Sequence, residues 1–211
     1  MRKIYFWLIL VVIGNPLWAQ YAGYSQLKDI ARFQTDFAIA AQKTVTIRSN
    51  FVQEKNLSML AEKIVSRGKF WFKKDNQVRM EYSQPFQYLM IINRDKVFVK
   101  DGQKENKVSS RSNKLFQQVN KVMIDCMQGT AMNNTDFKTR VFENRSTYLV
   151  ELVPAVKGLK DMFKNINIVV DKKDYSVNSI VMQEVSGDNT TIHFTSKELN
   201  TNLQDALFTI K

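Results

Sequence analysis

The chain has 211 residues, of which 44% are hydrophobic, 24% charged and 11% aromatic, enough apolar side chains for one sizeable core. Seven Gly and three Pro exclude collagen-like and low-complexity classes, and one Cys and one His exclude a disulfide framework, a four-cysteine zinc site and any site needing two histidines. Lys and Arg number 31 against 20 Asp and Glu, and this net charge of +11 raises nucleic acid as a partner until the N-terminus is read.

Met1-Arg2-Lys3 is a short basic start, Ile4 to Ile13 is an unbroken apolar run, and Leu17-Trp18-Ala19 precedes polar Gln20. That is the layout of a secretory signal. The run is too short to span a hydrocarbon core, which needs about 20 residues of helix. We expect cleavage after Ala19, leaving 20–211 as one exported domain. Removing Arg2 and Lys3 lowers the net charge from +11 to +9. An exported basic chain has little access to nucleic acid. Its charge suits anionic membrane surfaces or acidic protein faces, or simply a solvated surface. No Cys follows the apolar run, so the chain does not read as a lipoprotein itself.

Tyr24 to Gln42 reads as a helix, with Leu27, Ile30, Ala31, Gln34, Ala38 and Ala41 at three- and four-residue steps. From Thr44 the period becomes two, placing Val45, Ile47, Ser49, Phe51 and Gln53 on one side of a long strand. Ile64 to Lys73 follows, with Gly68, Phe70 and Phe72 on one face and Lys69, Trp71 and Lys73 on the other. Lys74-Asp75-Asn76-Gln77 turns the chain, and Val78, Met80 and Tyr82 alternate with Arg79 and Glu81. Tyr88 to Ile92 is apolar on both faces, so both sides of that strand must be covered. Asn93-Arg94-Asp95 turns into Val97-Phe98-Val99. Leu115, Phe116, Val119, Val122, Met123, Cys126 and Met127 form the apolar stripe of a second helix, with Ser112 at its start and Gly129 at its stop. Strands follow at Phe137–Glu143, Tyr148–Val153, Met162–Val170, Val177–Val185, Thr190–Leu199 and Leu207–Ile210. Eleven or twelve strands joined by short turns predict a curled, mostly antiparallel sheet: a barrel or half-barrel.

Catalytic signatures are missing. The sequence lacks a G-x-S-x-G elbow, a phosphate-binding glycine loop and an H-E-x-x-H zinc motif. His193 lies on a strand among threonines, and Cys126 sits within an apolar stripe where a thiol is inert. We expect no enzyme, metal or cofactor.

Large, soft apolar residues are conspicuous instead. Phe51, Phe70, Phe72, Val78, Met80, Tyr82 and Met90 share strand parity and are the candidate lining of a concave face. Phe116, Val119, Met123 and Met127 belong to the helix that would close it. Pattern alone does not distinguish a filled core from a lined cavity.

The order of these motifs adds a resemblance. Ser49-Asn50-Phe51-Val52-Gln53, then Gly68-Lys69-Phe70-Trp71-Phe72-Lys73-Lys74, then Val78-Arg79-Met80-Glu81-Tyr82, Pro85 and the Asp101-Gly102 turn are similar to the periplasmic outer-membrane lipoprotein carrier family, LolA. Asp205-Ala206-Leu207-Phe208-Thr209-Ile210 resembles that family's closing strand. The resemblance runs from residue 24 to the C-terminus. It implies mainly β structure with α-helices: an incomplete, strongly curved antiparallel β-barrel of about 11 strands under a helical lid, with an apolar cavity for acyl chains. It also implies a monomeric carrier, without cofactor, that shuttles lipoproteins from an inner-membrane ATP-driven exporter to an outer-membrane receptor. Lys74 and Asp75 stand where the family usually has Arg-Pro. In some members that Arg holds the lid shut, which makes Lys74 the lid-latch candidate. Val78 and Met80 replace larger aromatics, and Arg94 replaces a turn Gly. Two other readings stand beside transport: a lipid- or lipoprotein-sensing or glycolipid-carrying domain of related fold, and a secreted hydrolase using His193.

Overall fold

The computed structural model describes residues 21–102, 104–109 and 114–210, and the side chains of 21–102 and 121–210. The expected signal at 1–19 and the helix start at Ser112 lie outside the described residues.

The strands are β1 (Ser25–Gln26), β2 (Thr46–Leu57), β3 (Glu62–Lys73), β4 (Gln77–Gln84), β5 (Tyr88–Asn93), β6 (Lys96–Asp101), β7 (Lys104–Ser109), β8 (Phe137–Glu143), β9 (Thr147–Pro154), β10 (Phe163–Asp171), β11 (Val177–Glu184) and β12 (Asn189–Leu199). The helices are α1 (Ile30–Lys43), α2 (Lys114–Met127) and the single turn α3 (Lys157–Lys160). All strands join one antiparallel sheet in the order β1-β8-β9-β10-β11-β12-β2-β3-β4-β5-β6-β7. It is an open, curved barrel whose edges are β7 and β1 with β8.

This topology decides where the helices go. Most strands follow their neighbours through short hairpins, as alternating patterns with polar turns require. In the three-residue connection between paired Lys73 and Gln77, Asp75 and Asn76 have φ of +67° and +58°, the left-handed region that Asp and Asn tolerate best. Two connections cannot be short. The chain leaves β1 at one edge and re-enters at β2 in the middle, by way of α1. It leaves β7 at one edge and re-enters at β8 on the other side of the opening, by way of α2. Helix α2 therefore connects the two sides of the open barrel.

Helix α1 is shorter than its sequence pattern predicts. It starts at Ile30, where the Asp29 carboxylate caps it by accepting from Arg32 N at 3.0 Å. The residues before it run extended instead: Ser25 and Gln26 pair with β8, and Leu27 N donates to Val141 O at 2.9 Å. The buried stripe is Phe33, Phe37 and Ala41, one position out of phase with the expected Gln34 and Ala38. Two phenyl rings bury far more apolar area than alanines do, and they set the helix rotation. Helix α2 ends in a Schellman motif: Thr130 N donates to Asp125 O at 2.8 Å and Gly129 N to Cys126 O at 3.3 Å, with Gly129 at φ +71°.

The C-terminal residues do not form the expected strand at Leu207–Ile210. Asp205–Phe208 is a 3₁₀ turn laid over the outer face of β3–β5. Arg79 Nη1 donates to Leu207 O at 3.2 Å and Asn93 Nδ2 to Phe208 O at 3.0 Å, while Lys73 binds the Asp205 carboxylate. The strands beneath already have a neighbour on each side, so side chains satisfy these carbonyls instead. Trp71, on the outer face with Lys69 and Lys73, is buried there with Leu203 and Phe208. This segment gives β5 the second cover its sequence demanded.

At the other end of the sheet the N-terminal segment plays the same part. Tyr21 lies edge-on to buried Phe142, and its hydroxyl donates to Glu151 Oε1 at 2.8 Å. Glu151 is buried and also accepts from Arg140 at 2.5 Å. Burial raises the Glu151 pKa, but the bonds from Arg140, Tyr21 and Asn165 outweigh it and leave the carboxyl below its ordinary value. Burial and the same carboxylate push the Tyr21 hydroxyl up to about 12.

Candidate functional site

The predicted lining residues form adjacent rows across the concave face. Phe194, Phe51, Gly68, Tyr82 and Tyr88 are successive cross-strand partners from β12 to β5. The next row is Ser49, Phe70, Met80 and Met90, and the next is Ile47, Phe72, Val78 and Ile92. Cross-strand pairing brings such side chains within reach of one another, which turns the sequence alternation into a continuous apolar wall. Phe51, Phe70, Phe72, Val78, Met80 and Met90 are all buried, and Tyr82 is half-buried against the same cluster.

Gly68 has a specific function in the first row. The Phe51 and Tyr82 rings meet at 4.8 Å, edge to face, where a side chain at Gly68 would stand. A Cβ there would lie 2.7 Å from the Phe51 ring and 2.1 Å from the Glu81 carbonyl. The sequence placed Gly68 on this face but gave no reason for it. The Tyr82 hydroxyl donates to Gln53 Oε1 at 2.9 Å, and burial raises its pKa above the ordinary tyrosine range.

Both helices cover this wall. Val122, Met123, Cys126 and Met127 of α2 lie in the same buried cluster, as do Phe33 and Phe37 of α1. Met123 and Met127 thus pack into the cluster formed by the rows. The side chains of Phe116 and Val119, earlier in α2, lie outside the described residues. The same cluster includes Phe33, Phe37, Ile47, Ile92 and Phe194, which the candidate set read from sequence lacked. The i, i+4 spacing of Phe33 and Phe37 was the available signal. Burial drives the Cys126 thiol well above its ordinary pKa, so it is inert packing. His193 stands exposed on β12 between Val52 and Ser179.

One turn supplies a polar contact to each of the two helices. Lys74 Nζ donates to the Gln42 carbonyl in the last turn of α1. A cation there also meets the negative end of the helix. Two residues on, Asn76 Oδ1 accepts from Gln128 Nε2, just past the end of α2, at 2.9 Å. The helices also touch each other: a Cβ at Gly129 would lie 2.7 Å from Ala41 Cβ.

Among the described residues, the cavity bordered by both helices and the sheet, with Phe37, Ile47, Cys126, Met127 and Val177 on its walls, measures about 20 Å³. A ligand of lipid size calls for at least ~300 Å³. At that cavity the two helices pack closely against the sheet. Their displacement would uncover the apolar rows.

The model of the outer membrane lipoprotein carrier protein LolA matches residues 42–211. The chain belongs to the LolA family. The match begins at the end of α1 and takes in the three cross-strand rows, α2 and the Lys74–Gln77 turn. Similar folds recur in solved structures at low identity. A LolA-superfamily protein of Nitrosomonas europaea has 13% identity and a TM-score of 0.46, over 84% of this chain and 97% of the other. MucB in its complex with MucA from Pseudomonas aeruginosa has 10% identity and a TM-score of 0.51, over 87% of this chain and 61% of the other. Comparison with curated proteins gives no match. LolA membership agrees with a carrier or binding role.

Proposed function

We propose that this LolA-family chain is a periplasmic carrier that shields the acyl chains of lipoproteins and moves them from the inner to the outer membrane. The observation that carries this reading is the cover of the concave face. Its Phe, Met and Val rows are roofed by two helices, which the β3–β4 turn reaches through Lys74 and Asn76, and not by a second sheet.

The energetics explain the need for such a device. An acyl chain exposed to water costs about 0.8 kcal/mol per CH₂, so a sixteen-carbon chain is worth roughly 12 kcal/mol and leaves a membrane very slowly. A soluble carrier must bury it and later release it. With the lid open, Phe51, Phe70, Phe72, Val78, Met80, Tyr82 and Met90 line the acyl site. With the lid closed, α1 and the α2 side chains Phe116, Val119, Met123 and Met127 take the cargo's place. Affinity is then the free energy of burying cargo less that of packing the lid onto the same wall. Lys74 and Asn76 are the latches that favour the closed form. The partners in this reading are an inner-membrane ATP-driven exporter and an outer-membrane receptor, and the signal at residues 1–19 takes the monomeric chain to the periplasm. No step makes or breaks a covalent bond.

The experiment is mass spectrometry of what co-purifies with the chain from the periplasm, together with release of lipoproteins from spheroplasts. Acylated protein in the purified complex and stoichiometric release support the carrier. Release no greater than that from a buffer control rejects it. One alternative stands beside it, a lipid- or lipoprotein-sensing or glycolipid-carrying domain of related fold. Such a domain binds acyl chains but fails to restore growth to cells depleted of their own carrier.

A further inference from the structure

Exposed large apolar side chains gather at one end of the sheet. The β2–β3 hairpin runs past its neighbour: the last partner of β3 on the β4 side is Arg67↔Gln84, whereas β2 and β3 stay paired out to Leu57↔Glu62. At about 3.3 Å per residue, the hairpin overshoots β4 by roughly 16 Å. Its tip carries Met59, 92% exposed, and Leu60, 65% exposed. Ile64 and Val65 on its stem are exposed too. They are consecutive in a strand, so they point to opposite faces. Beside the stem, the β4–β5 loop presents Phe86, 76% exposed, and the β11–β12 turn presents Val185.

The tip is built, not loose. The Asp188 carboxylate of the neighbouring turn accepts from Ser58 N at 2.8 Å and from Ser58 Oγ at 3.0 Å. Leu60 N donates to Leu57 O at 3.2 Å, and Ala61 closes the loop at φ +51°. Met59 and Leu60 are thus held outward, although turning them inward would remove apolar area from water.

We propose that this end of the molecule docks on a phospholipid bilayer, with Met59 and Leu60 entering the lipid and Phe86 and Val185 resting at its surface. The geometry selects that occupant. A partner protein would meet one face or a groove, whereas here apolar side chains stand at the tip and on both faces of a projecting hairpin. Such a shape matches a medium that is apolar in every direction. Arg67 stands exposed on the stem where β4 ends, a cation that an anionic lipid surface favours. The stem is also the outward continuation of the strands bearing Phe51, Phe70 and Phe72, so docking places the bilayer at the end of the apolar wall. The inference goes beyond acyl carriage and is read without cargo.

The test is flotation of the purified chain with vesicles of phosphatidylcholine alone, and of phosphatidylethanolamine with phosphatidylglycerol. We expect binding to both, stronger to the anionic mixture and persisting in about 0.5 M salt. Met59→Asp with Leu60→Asp lowers the partition coefficient at least tenfold, Phe86→Ser lowers it a few-fold, and neither moves the melting temperature. Binding of a fluorescent fatty acid in lipid-free solution stays intact in both variants. Its loss from the unmodified chain would count against the carrier, not against docking. Docking is overturned if the unmodified chain ignores vesicles, if the double variant floats equally well, if salt abolishes all binding, or if sedimentation shows these side chains joining two copies of the chain.

Discussion

Replacement of Met123 by Ala separates a lid from an ordinary core. Met123 is 7% exposed and packs from α2 into the cluster formed by the apolar rows. Burying a side chain of this size contributes about 1.5–3 kcal/mol. In a plain core, its loss lowers stability and does nothing else. In a lid, the contact exists only in the closed form, so its loss shifts the balance toward the open form. The apparent dissociation constant for an acyl ligand varies inversely with the open fraction while that fraction is small. At 1.4 kcal/mol per decade, Met123→Ala should bind a fluorescent fatty acid about 10- to 100-fold more tightly, even though the protein melts several degrees lower. Phe72→Ala is the control, because its ring belongs to the wall that cargo and lid both use. It should lower stability by about 3–5 kcal/mol and bring no gain in affinity. Equilibrium titration with the probe and hydrogen exchange of residues 121–127 read the two quantities independently. The reasoning is refuted if Met123→Ala lowers the melting temperature, leaves exchange in α2 unchanged and binds the probe no better than the parent.

Lys74→Ala removes the half-exposed cation from the end of α1. It should cost about 0.3–1 kcal/mol in denaturant unfolding and tighten probe binding about two- to fivefold, with Lys74→Arg restoring both. Phe208, fully buried in the outer cluster, does not touch the concave rows. Phe208→Ala should lower stability by roughly 3–5 kcal/mol in urea titration while probe affinity in the folded protein stays within twofold. Glu151 has its folded pKa depressed below the ordinary 4.5, so its contribution is full above that value and disappears as pH falls through the folded pKa. Urea unfolding at about pH 6 and about pH 3 should therefore show a smaller loss on acidification for Glu151→Gln than for the parent, and an equal loss would contradict the assignment.

Local chemistry and period determined most of this protein's elements. The alternation at Phe70–Phe72 and Val78–Met80–Tyr82 chose the concave face, because a pleated strand sends neighbours to opposite sides. The stripe ending at Met127 and stopped by Gly129 gave most of α2, because 3.6 residues per turn leaves one wet face. Periodicity misjudged α1, where Phe33 and Phe37 outweigh the better-spaced alanines, and misread Leu207–Ile210 as a strand, because an edge for it to join depends on which strands are already paired. It was also blind to Asn76 and Gln128, which lie 52 residues apart and meet only when α2 connects the two sides of the barrel. Whether Phe72 and Met123 touch is likewise a matter of chain path and not of pattern. A side chain's own residue type fixes that it will be buried, and strand order alone fixes what buries it.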